Sequence, residues 1–222
     1  MSDNSVNFID KGFVRLVDVM GDDMSVVRAA RVSYGKESKG EEADRKLIHY
    51  LMKHNHGTPF EHIVFTFHIR CPIFIARQWF RHRIGSFNEI SGRYTELEME
   101  FFRPTEIREN RTSNHQASIG GEFSDEEINS MLEMWDNTLV VIESTYQDFL
   151  NRGMAREQAR AILPVGTYTE FYWTVNLRSL FNFIHLRTAK DAQSEMCQYA
   201  DVVSNITEEI SPWCFEAFLE NK

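Results

Sequence analysis

The chain has 222 residues, 42% of them hydrophobic, and a formal net charge of −9 at pH 7. A chain of this length can bury one sizeable core, so we expect a single domain over residues 1–222. The acidic balance excludes a global attraction to nucleic acid or to anionic membranes. No stretch reaches the roughly 20 apolar residues of a spanning helix, and the first ten residues lack a signal-peptide core. We therefore expect a cytoplasmic protein without membrane or nucleic-acid partners.

The chain contains three cysteines, Cys71, Cys197 and Cys214. Their number is odd, their spacing is wide and none belongs to a C-x-x-C pair, which argues against a disulfide framework and against a thiolate zinc site. Free cysteines are among the residue types most often buried, so we expect these three to be reduced residues of the core.

The first elements mix strand and helix patterns. Residues 13–20 alternate apolar and polar side chains, which predicts a strand, and residues 23–35 favour a short helix that ends in glycine. Residues 43–57 place apolar side chains at helical spacing and end in a glycine close to a proline, which predicts a second helix. Residues 63–71 give the clearest strand pattern, with apolar side chains on one face and polar ones on the other, so a two-faced sheet is expected.

A helix is predicted to follow that strand over residues 72–84. Pro72 suits the first turn of a helix, and Gly85 can close the helix in a left-handed conformation. The residues that follow, 86–94, are expected to form a polar loop. The arginine-rich stretch 81–94 would therefore straddle a helix end.

Helical patterns dominate the carboxyl half. Ser124 and Glu127 form an S-x-x-E capping box, and an apolar stripe follows over residues 128–146. The remaining patterns predict helices over residues 156–163, 179–187 and 191–210 and a strand over residues 167–175. Unequal helices with scattered strands indicate the α+β class rather than a doubly wound sheet.

The sequence RHRIGSFNEISGRY, residues 81–94, locally inverts the charge of the chain. No Asp or Glu occurs between Glu61 and Glu89, where the cationic and imidazole side chains are Arg70, Arg77, Arg81, Arg83, His62, His68 and His82. One explanation is that cations at a helix end are stabilised by the macrodipole, by ~0.3 to 1 kcal/mol each. Arg81 and Arg83 would lie about 200° apart around a helix, however, so they must serve different partners.

A strip of donors would line one face of the same helix. Arg77, Gln78, Arg81 and His82 share that face at i, i+4 spacing, and guanidinium forks suit phosphate or carboxylate. The sequence contains no G-x-G-x-x-G and no P-loop pattern, so any phosphate would be held by arginine. The residues thus favour a phosphorylated ligand, with a solvated helix end as the alternative.

Two other ligand classes are open at this stage. His54, His56 and Glu61 form an H-x-H-x4-E arrangement that resembles the first metal motif of cupins, but the histidines end an amphipathic helix and not a barrel strand, so we predict no metal site. Arginines interleaved with aromatic residues could instead make a non-catalytic module that binds nucleotides, RNA or single-stranded DNA. The net charge of −9 argues against the broad basic groove of such binders.

Residues 81–94 match, at every fixed position, the pattern R-H-R-x-x-S-x-N-E-x-S-x-R-Y that marks the flavin-dependent thymidylate synthases. The segments HGTPFEH, ARQWFRHR, REQARAILP, WTVNLRSLFNFIHLR and SPWCFEAF also resemble family segments, so the resemblance covers almost the whole chain and is weakest over residues 102–123. It implies an α+β single domain in which a small antiparallel sheet packs among several helices, including long core helices.

The resemblance also implies a reaction. Members of this family convert dUMP to dTMP with 5,10-methylenetetrahydrofolate as carbon donor, tightly bound FAD as cofactor and NADPH as reductant. Reduced flavin would deliver hydride, and no enzyme cysteine would attack the uracil ring. A homotetramer with active sites shared between subunits is implied as well.

Site residues follow from the resemblance position by position. The dUMP contacts would be Gln78, Trp79, Phe80, Arg81, Glu89, Ile90, Ser91, Gly92, Arg93, Arg160 and Arg187. Arg187 would be catalytic, because a guanidinium against the uracil ring favours ionisation of its ring nitrogen. The FAD contacts would be Thr58, Arg81, His82, Arg83, Ile84, Glu89, Asn176, Leu177, Arg178 and Asn182, with His56 and Glu61 near the flavin or the folate.

Taken singly, several of these residues have ordinary structural uses. Arg160 could form a surface ion pair, and Arg187 could stabilise the end of its helix. Asn176 and Asn182 could be helix caps or turn residues. Ser91 lacks the histidine and carboxylate partners of a serine triad, so a binding or capping hydroxyl is expected there.

Overall fold

The computed structural model of the chain describes residues 7–35, 38–96, 98–109, 119–121 and 123–221. The strands are β1 (Asn7–Ile9), β2 (Gly12–Met20), β3 (Val64–Pro72), β4 (Ser86–Glu89), β5 (Arg108–Glu109), β6 (Ile119–Gly120) and β7 (Tyr168–Asn176). The α-helices are α1 (Asp23–Arg31), α2 (Glu41–Lys53), α3 (Ile73–Trp79), α4 (Asp125–Asn151), α5 (Arg156–Ala159), α6 (Leu177–Arg187), α7 (Ser194–Ile210) and α8 (Pro212–Glu220). Short 3-10 helices occupy Val32–Tyr34, Thr58–His62 and Arg160–Ile162.

An antiparallel sheet of five strands, in the order β1-β2-β3-β7-β4, forms the centre of the molecule. Phe65, Phe67 and Ile69 of β3 are fully buried and alternate with partly exposed polar residues, as the strand pattern predicted. Trp173 of β7 continues the same apolar face, opposite Phe67. The α+β class is therefore confirmed.

Helices cover the apolar face of this sheet. One cluster of buried side chains joins strands β2, β3 and β7 to helices α1, α2, α3, α6, α7 and α8. Trp79 of α3 makes edge contacts with Phe171 and Trp173 of β7, at centroid distances of 5.6 and 5.4 Å. No helix in the described ranges is both long enough and apolar enough to cross a membrane.

The long helix α4 begins as predicted. The Ser124 side chain accepts from the Glu127 backbone N–H, and the Glu127 carboxylate accepts from the Ser124 backbone N–H, which completes the capping box. Along the predicted apolar stripe Tyr146 is buried, Trp135 is 40% exposed and the other members are half-buried. Met134 and Val141, which lie outside that stripe, are 68% and 62% exposed.

The predicted helix over residues 72–84 is too long. Helix α3 ends at Trp79, because the Phe80 ring turns to pack against Phe87 and Phe171. Gly85 does not adopt a left-handed conformation. A Cβ there would lie 2.8 Å from Trp173 Nε1 and 3.0 Å from the Thr174 carbonyl, so glycine is needed for close approach to β7.

Two further boundaries differ from the sequence-based expectation. The polar loop predicted after Gly85 begins as strand β4, which pairs Ser86 with Thr174 and Glu89 with Phe171 at the edge of the sheet. Helix α2 ends at Lys53, before the predicted end at Gly57, and Asn55 follows in the left-handed region with φ of 56°. Strand β4 is set by its pairing with β7, and α2 ends just before an asparagine in the left-handed conformation that commonly follows a helix.

Candidate active site

Two cavities adjoin beside the carboxyl end of α3 and along α6. The first pocket, of about 620 Å³, is lined by residues that include Arg77, Gln78, Arg81, Arg187 and Gln193. The second pocket, of about 680 Å³, is lined by residues that include Glu61, Arg81, His82, Arg83, Ile84, Asn176, Arg178, Asn182 and Arg187. Arg81, Leu186 and Arg187 line both cavities, so groups bound in the two pockets would lie side by side.

Three guanidinium groups without carboxylate partners line these pockets. Within the described residues, Arg77, Arg81 and Arg83 form no ion pair, although the chain has 33 acidic residues. In contrast, Arg178 of the second pocket pairs with Glu61 at 2.8 Å. Unpaired cations in an acidic chain indicate that the pockets receive anions from outside the chain.

Arg187 is held in place by two acceptors of this chain. Its Nε–H donates to Nε2 of His82 at 3.0 Å, and its Nη2 donates to the backbone carbonyl of Gln78 at 2.9 Å. Burial, and then the charge of Arg187, lowers the pKa of His82 to about 4. Burial also lowers the pKa of Arg187. A neutral imidazole therefore orients a cation that faces both pockets.

The second pocket is built largely from one face of α6. Asn176 caps this helix, since its Oδ1 accepts from the Ser179 backbone N–H at 2.9 Å. The cap uses the oxygen of the amide, and the NH₂ group can still donate to a ligand. Arg178 and Asn182 follow at i, i+4 spacing and point to the same side. The expected structural use of Asn176 and its predicted place in the site are therefore compatible.

Gly57 makes room for Arg178. A Cβ at Gly57 would lie 2.4 Å from Arg178 Nε and 2.5 Å from its Cζ, closer than real contacts allow. The glycine thus lets the guanidinium lie against the backbone and reach Glu61. Its backbone angles are ordinary, with φ of −74°, so absence of a side chain is what matters here.

His56 and Thr58 line a neighbouring cavity of about 540 Å³, together with Tyr50. The His56 ring stands edge-on to Tyr50 at a centroid distance of 5.9 Å. His54 Nδ1 bonds to the Tyr50 carbonyl at 2.8 Å, and Glu61 is bound by Arg178. Nowhere in the described ranges do three histidine, cysteine, aspartate or glutamate side chains converge as metal ligands would.

The predicted dUMP residues from Glu89 to Arg93 lie elsewhere in the chain. Glu89 is opposite Phe171 and accepts from the Thr169 hydroxyl at 2.7 Å. Phe171 lies five positions before Asn176, so the Glu89 end of the sheet is about 17 Å from the Asn176 end at the usual strand rise. Neither pocket includes a residue of this loop, or the exposed Arg160.

Two residues of the predicted contact set lie in the core. Trp79 and Leu177 have no exposed surface in the single chain. Phe80 is half-buried and stacks edge-on against Phe87. Adjacency in the motif therefore does not imply that a side chain reaches the site.

Cysteine is absent from the lining of both pockets. Cys71 and Cys214 are buried as predicted, whereas Cys197 on α7 is only half-buried. Burial raises the pKa of the Cys71 thiol well above its usual value and also raises the pKa of Cys197. None of the three is therefore poised as a thiolate nucleophile.

Gln193 is a pocket residue that the sequence analysis missed. It lies just before α7 and accepts from Gln78 Nε2 at 2.6 Å. Its separation in sequence from Gln78 is 115 residues, and no local pattern distinguishes it from any other residue at a helix start. Only the packing of α7 beside α3 brings it into the first pocket.

The chain is similar to known proteins over nearly its whole length. The family model described as thymidylate synthase complementing protein matches residues 15–213. A flavin-dependent thymidylate synthase of Thermosipho africanus is 54% identical over 213 residues, covering 96% of this chain and 92% of that protein. A flavin-dependent thymidylate synthase of Thermus thermophilus is 48% identical over 217 residues, covering 98% of this chain and 79% of that protein.

A solved structure has the same fold. The UMP/dUMP methylase PolB of Streptomyces cacaoi, bound with 5-Br UMP, superposes with a TM-score of 0.86 at 35% identity and covers 97% of each chain. The matched family model, the sequence identity and the fold agree across nearly the whole length. The chain therefore belongs to the flavin-dependent thymidylate synthase family.

Proposed function

We propose that this chain, as one catalytic domain over residues 1–222, reductively methylates dUMP to dTMP, with methylenetetrahydrofolate as carbon donor, FAD as bound cofactor and NADPH as reductant. The observation that carries the proposal is Arg81, an unpaired guanidinium shared by two adjoining pockets. In the proposed reaction the carbon would come from methylenetetrahydrofolate and the hydride from the flavin, so dUMP and FAD, which are both anions, would have to bind side by side. The family membership supplies the reaction class.

The residues of the second pocket fit a flavin dinucleotide. Helix α3 ends before Arg81, so the opposed directions expected of Arg81 and Arg83 on a helix do not apply, and both line this pocket as fork-shaped donors for a pyrophosphate. Asn176 and Asn182 offer amides for neutral polar groups. When bound, the flavin would supply the hydride of the reaction. His82 would stay neutral beside it and would hold Arg187 by its ring nitrogen.

The first pocket would hold dUMP. Arg77 and Arg81 provide positive charge for the phosphate, and Arg187 would stabilise negative charge that develops on the pyrimidine. The guanidinium stays charged throughout, so no general base with a tuned pKa is needed at this position. The buried cysteines fit a reaction in which no thiolate attacks the ring.

We also propose that the sites are completed by other copies of the chain in a homotetramer. Neither pocket is lined by a residue of the loop from Glu89 to Arg93, and in the proposed tetramer a second chain would bring this loop to the first pocket. Helix α4 offers a surface for association, because Met134 and Val141 are exposed on one face, two turns apart.

Anaerobic reduction tests the proposal directly. The bound flavin is reduced by NADPH, then dUMP and methylenetetrahydrofolate are added while flavin absorbance and dTMP are followed. Reoxidation coupled to dTMP formation is expected. A colourless protein that takes up no flavin and runs as a monomer would contradict the proposal, and binding of RNA by that protein would favour the non-catalytic alternative.

A further inference from the structure

A chain of hydrogen bonds runs from Gln78 in the first pocket to Arg108 in β5. Gln78 Nε2 donates to Gln193 Oε1 at 2.6 Å, and Gln193 Nε2 donates to Glu195 Oε2 at 2.9 Å. The other Glu195 oxygen accepts from Nη2 of Arg108, whose Nη1 donates to Ser194. The Arg108 and Glu195 side chains are only 18% and 17% exposed, so water competes weakly for these bonds.

The chemistry of the two end groups fixes the direction of both amides. A guanidinium has only donors and a carboxylate has only acceptors, so Glu195 must accept on both sides. Gln193 can therefore meet Glu195 only through its NH₂ group, which turns its carbonyl towards Gln78. Gln78 must answer with its own NH₂ group, because two carbonyl oxygens would repel each other.

The consequence is that Gln78 offers the pocket an acceptor. One N–H of its Nε2 is engaged by Gln193, and no described residue donates to its Oε1. A carbonyl oxygen repels phosphate oxygens, whereas Arg77, Arg81 and Arg187 around it attract them. The ligand group that meets Oε1 of Gln78 must then be a neutral O–H or N–H donor, such as a sugar hydroxyl or a ring N–H.

We propose that Gln193 and Glu195 are positioning residues that act through Gln78, and that they fix its carbonyl to accept a hydrogen bond from the nucleoside part of the substrate and not from its phosphate. This inference rests on the proposed function, because it takes the ligand of the first pocket to be dUMP. It adds two residues outside the arginine motif to the recognition of the nucleotide.

The variant Glu195→Gln tests the polarity without changing shape. Its carbonyl must face Arg108, so its NH₂ group faces Gln193 and forces that amide, and then the Gln78 amide, to turn over. The pocket would receive NH₂ in place of the carbonyl. We expect the Kd for dUMP to rise roughly threefold to tenfold, the usual worth of one neutral hydrogen bond. Glu208→Gln, an exposed position on α7, removes the same charge and should leave the Kd unchanged.

Whether the Kd for dUMP rises or falls in Glu195→Gln shows whether Gln78 meets the nucleoside or the phosphate. An NH₂ group beside the phosphate would tighten binding, so a lower or unchanged Kd in Glu195→Gln overturns the inference. In a Gln78→Met background, Glu195→Gln should have no further effect. An equal further loss there would also overturn it, since the effect would then not pass through Gln78.

A dideoxy substrate analogue identifies the donor. With 2′,3′-dideoxyuridine monophosphate, the loss of affinity caused by Glu195→Gln disappears if the donor is the sugar hydroxyl and persists if it is the ring N–H.

If Glu195→Gln does not fold, Gln193→Met replaces it. A weaker dUMP affinity in Gln193→Met, with no such effect in the Gln78→Met background, supports the inference. An unchanged affinity overturns it. Wild-type protein that binds no dUMP would instead refute the proposed function.

Discussion

Arg187 donates its Nε–H to Nε2 of His82 at 3.0 Å, so this ring nitrogen carries no proton. The lowered pKa of His82 agrees with this role as acceptor, because burial and the neighbouring charge of Arg187 bring that pKa to about 4. The Phe183 ring stands edge-on to the imidazole at 4.9 Å and limits its rotation. Arg187 is thus held in one direction by a neutral partner, with no need for a carboxylate.

The stability of the protein should fall in mild acid because of His82. Its unfolded pKa is ~6.5 and its folded pKa is about 4, so the unfolded state binds more protons between these values. The stability that the neutral His82 ring contributes is complete above pH ~6.5 and is lost as the pH falls towards 4. Between pH 7.5 and pH 5, wild type should lose on the order of 1 kcal/mol more unfolding free energy than His82→Gln.

Denaturant unfolding at the two pH values measures this difference. The glutamine variant keeps an acceptor for Arg187 and removes the titrating ring. His185→Gln, at an exposed position on the same helix as Arg187, is the control and should behave as wild type. An equal pH dependence in wild type and His82→Gln would show that the ring does not resist protonation.

Arg81→Ala should abolish tight nucleotide binding while the assembly persists. The guanidinium lines both pockets and has no ion pair within the described residues, so its removal leaves the ligand anions without their donor fork. Charge-assisted hydrogen bonds are worth ~1.5 to 3 kcal/mol, which corresponds to a loss of at least about tenfold in dUMP affinity. Calorimetric titration measures the affinity for dUMP, and sedimentation measures whether the assembly persists.

Arg152→Ala is the matched control for this change. Arg152 is exposed and pairs with Asp148 on the surface of α4, so its loss should leave the affinity for dUMP unchanged. Arg81→Lys should recover only part of the affinity, since a point charge cannot replace a bidentate fork. Wild-type dUMP binding by Arg81→Ala would remove Arg81 from the nucleotide site.

Gly57→Ala should displace Arg178 without unfolding the protein. The new Cβ would lie 2.4 Å from Arg178 Nε, and the flexible guanidinium would have to leave Glu61. An exposed pair of this kind contributes only ~0 to 1 kcal/mol, so the melting temperature should change little. Flavin retention, read from absorbance after gel filtration, should fall. Gly166→Ala is the control, because its Cβ would meet Phe102 at an ordinary 3.8 Å; equal retention by both variants would argue against Arg178 as a flavin ligand.

Asp44→Ala should destabilise the fold strongly. Asp44 is 1% exposed and pairs with Arg31, which is 8% exposed, so the variant leaves a buried cation unpaired. The expected loss is about 3 to 5 kcal/mol in the free energy of unfolding. Glu42→Ala on the same helix breaks an exposed pair with Lys46 and should cost at most about 1 kcal/mol. A similar loss in both variants, measured by denaturant unfolding, would contradict this account.

Much of the secondary structure could be predicted because its signals are local. The capping box of Ser124 and Glu127 depends on residues three positions apart, and the alternation in β3 depends on the strand period. The end of α3 could not be predicted, because the packing of Phe80 against Phe87 and Phe171 ends the helix. The prediction that Gly85 closes the helix in a left-handed conformation was wrong for a similar reason. Glycine is needed there because β7 lies against it.

By itself the sequence determined the family and the chemical character of the site, because the arginine motif is contiguous and its charge contrasts with that of the acidic chain. Only the tertiary structure decided which motif residues meet in one place. It buried Trp79 in the core, kept the loop from Glu89 to Arg93 at the other end of the sheet, and brought Gln193 beside Gln78. The physical reason is that a motif fixes which groups are available, whereas distances between groups far apart in sequence depend on how sheet and helices pack.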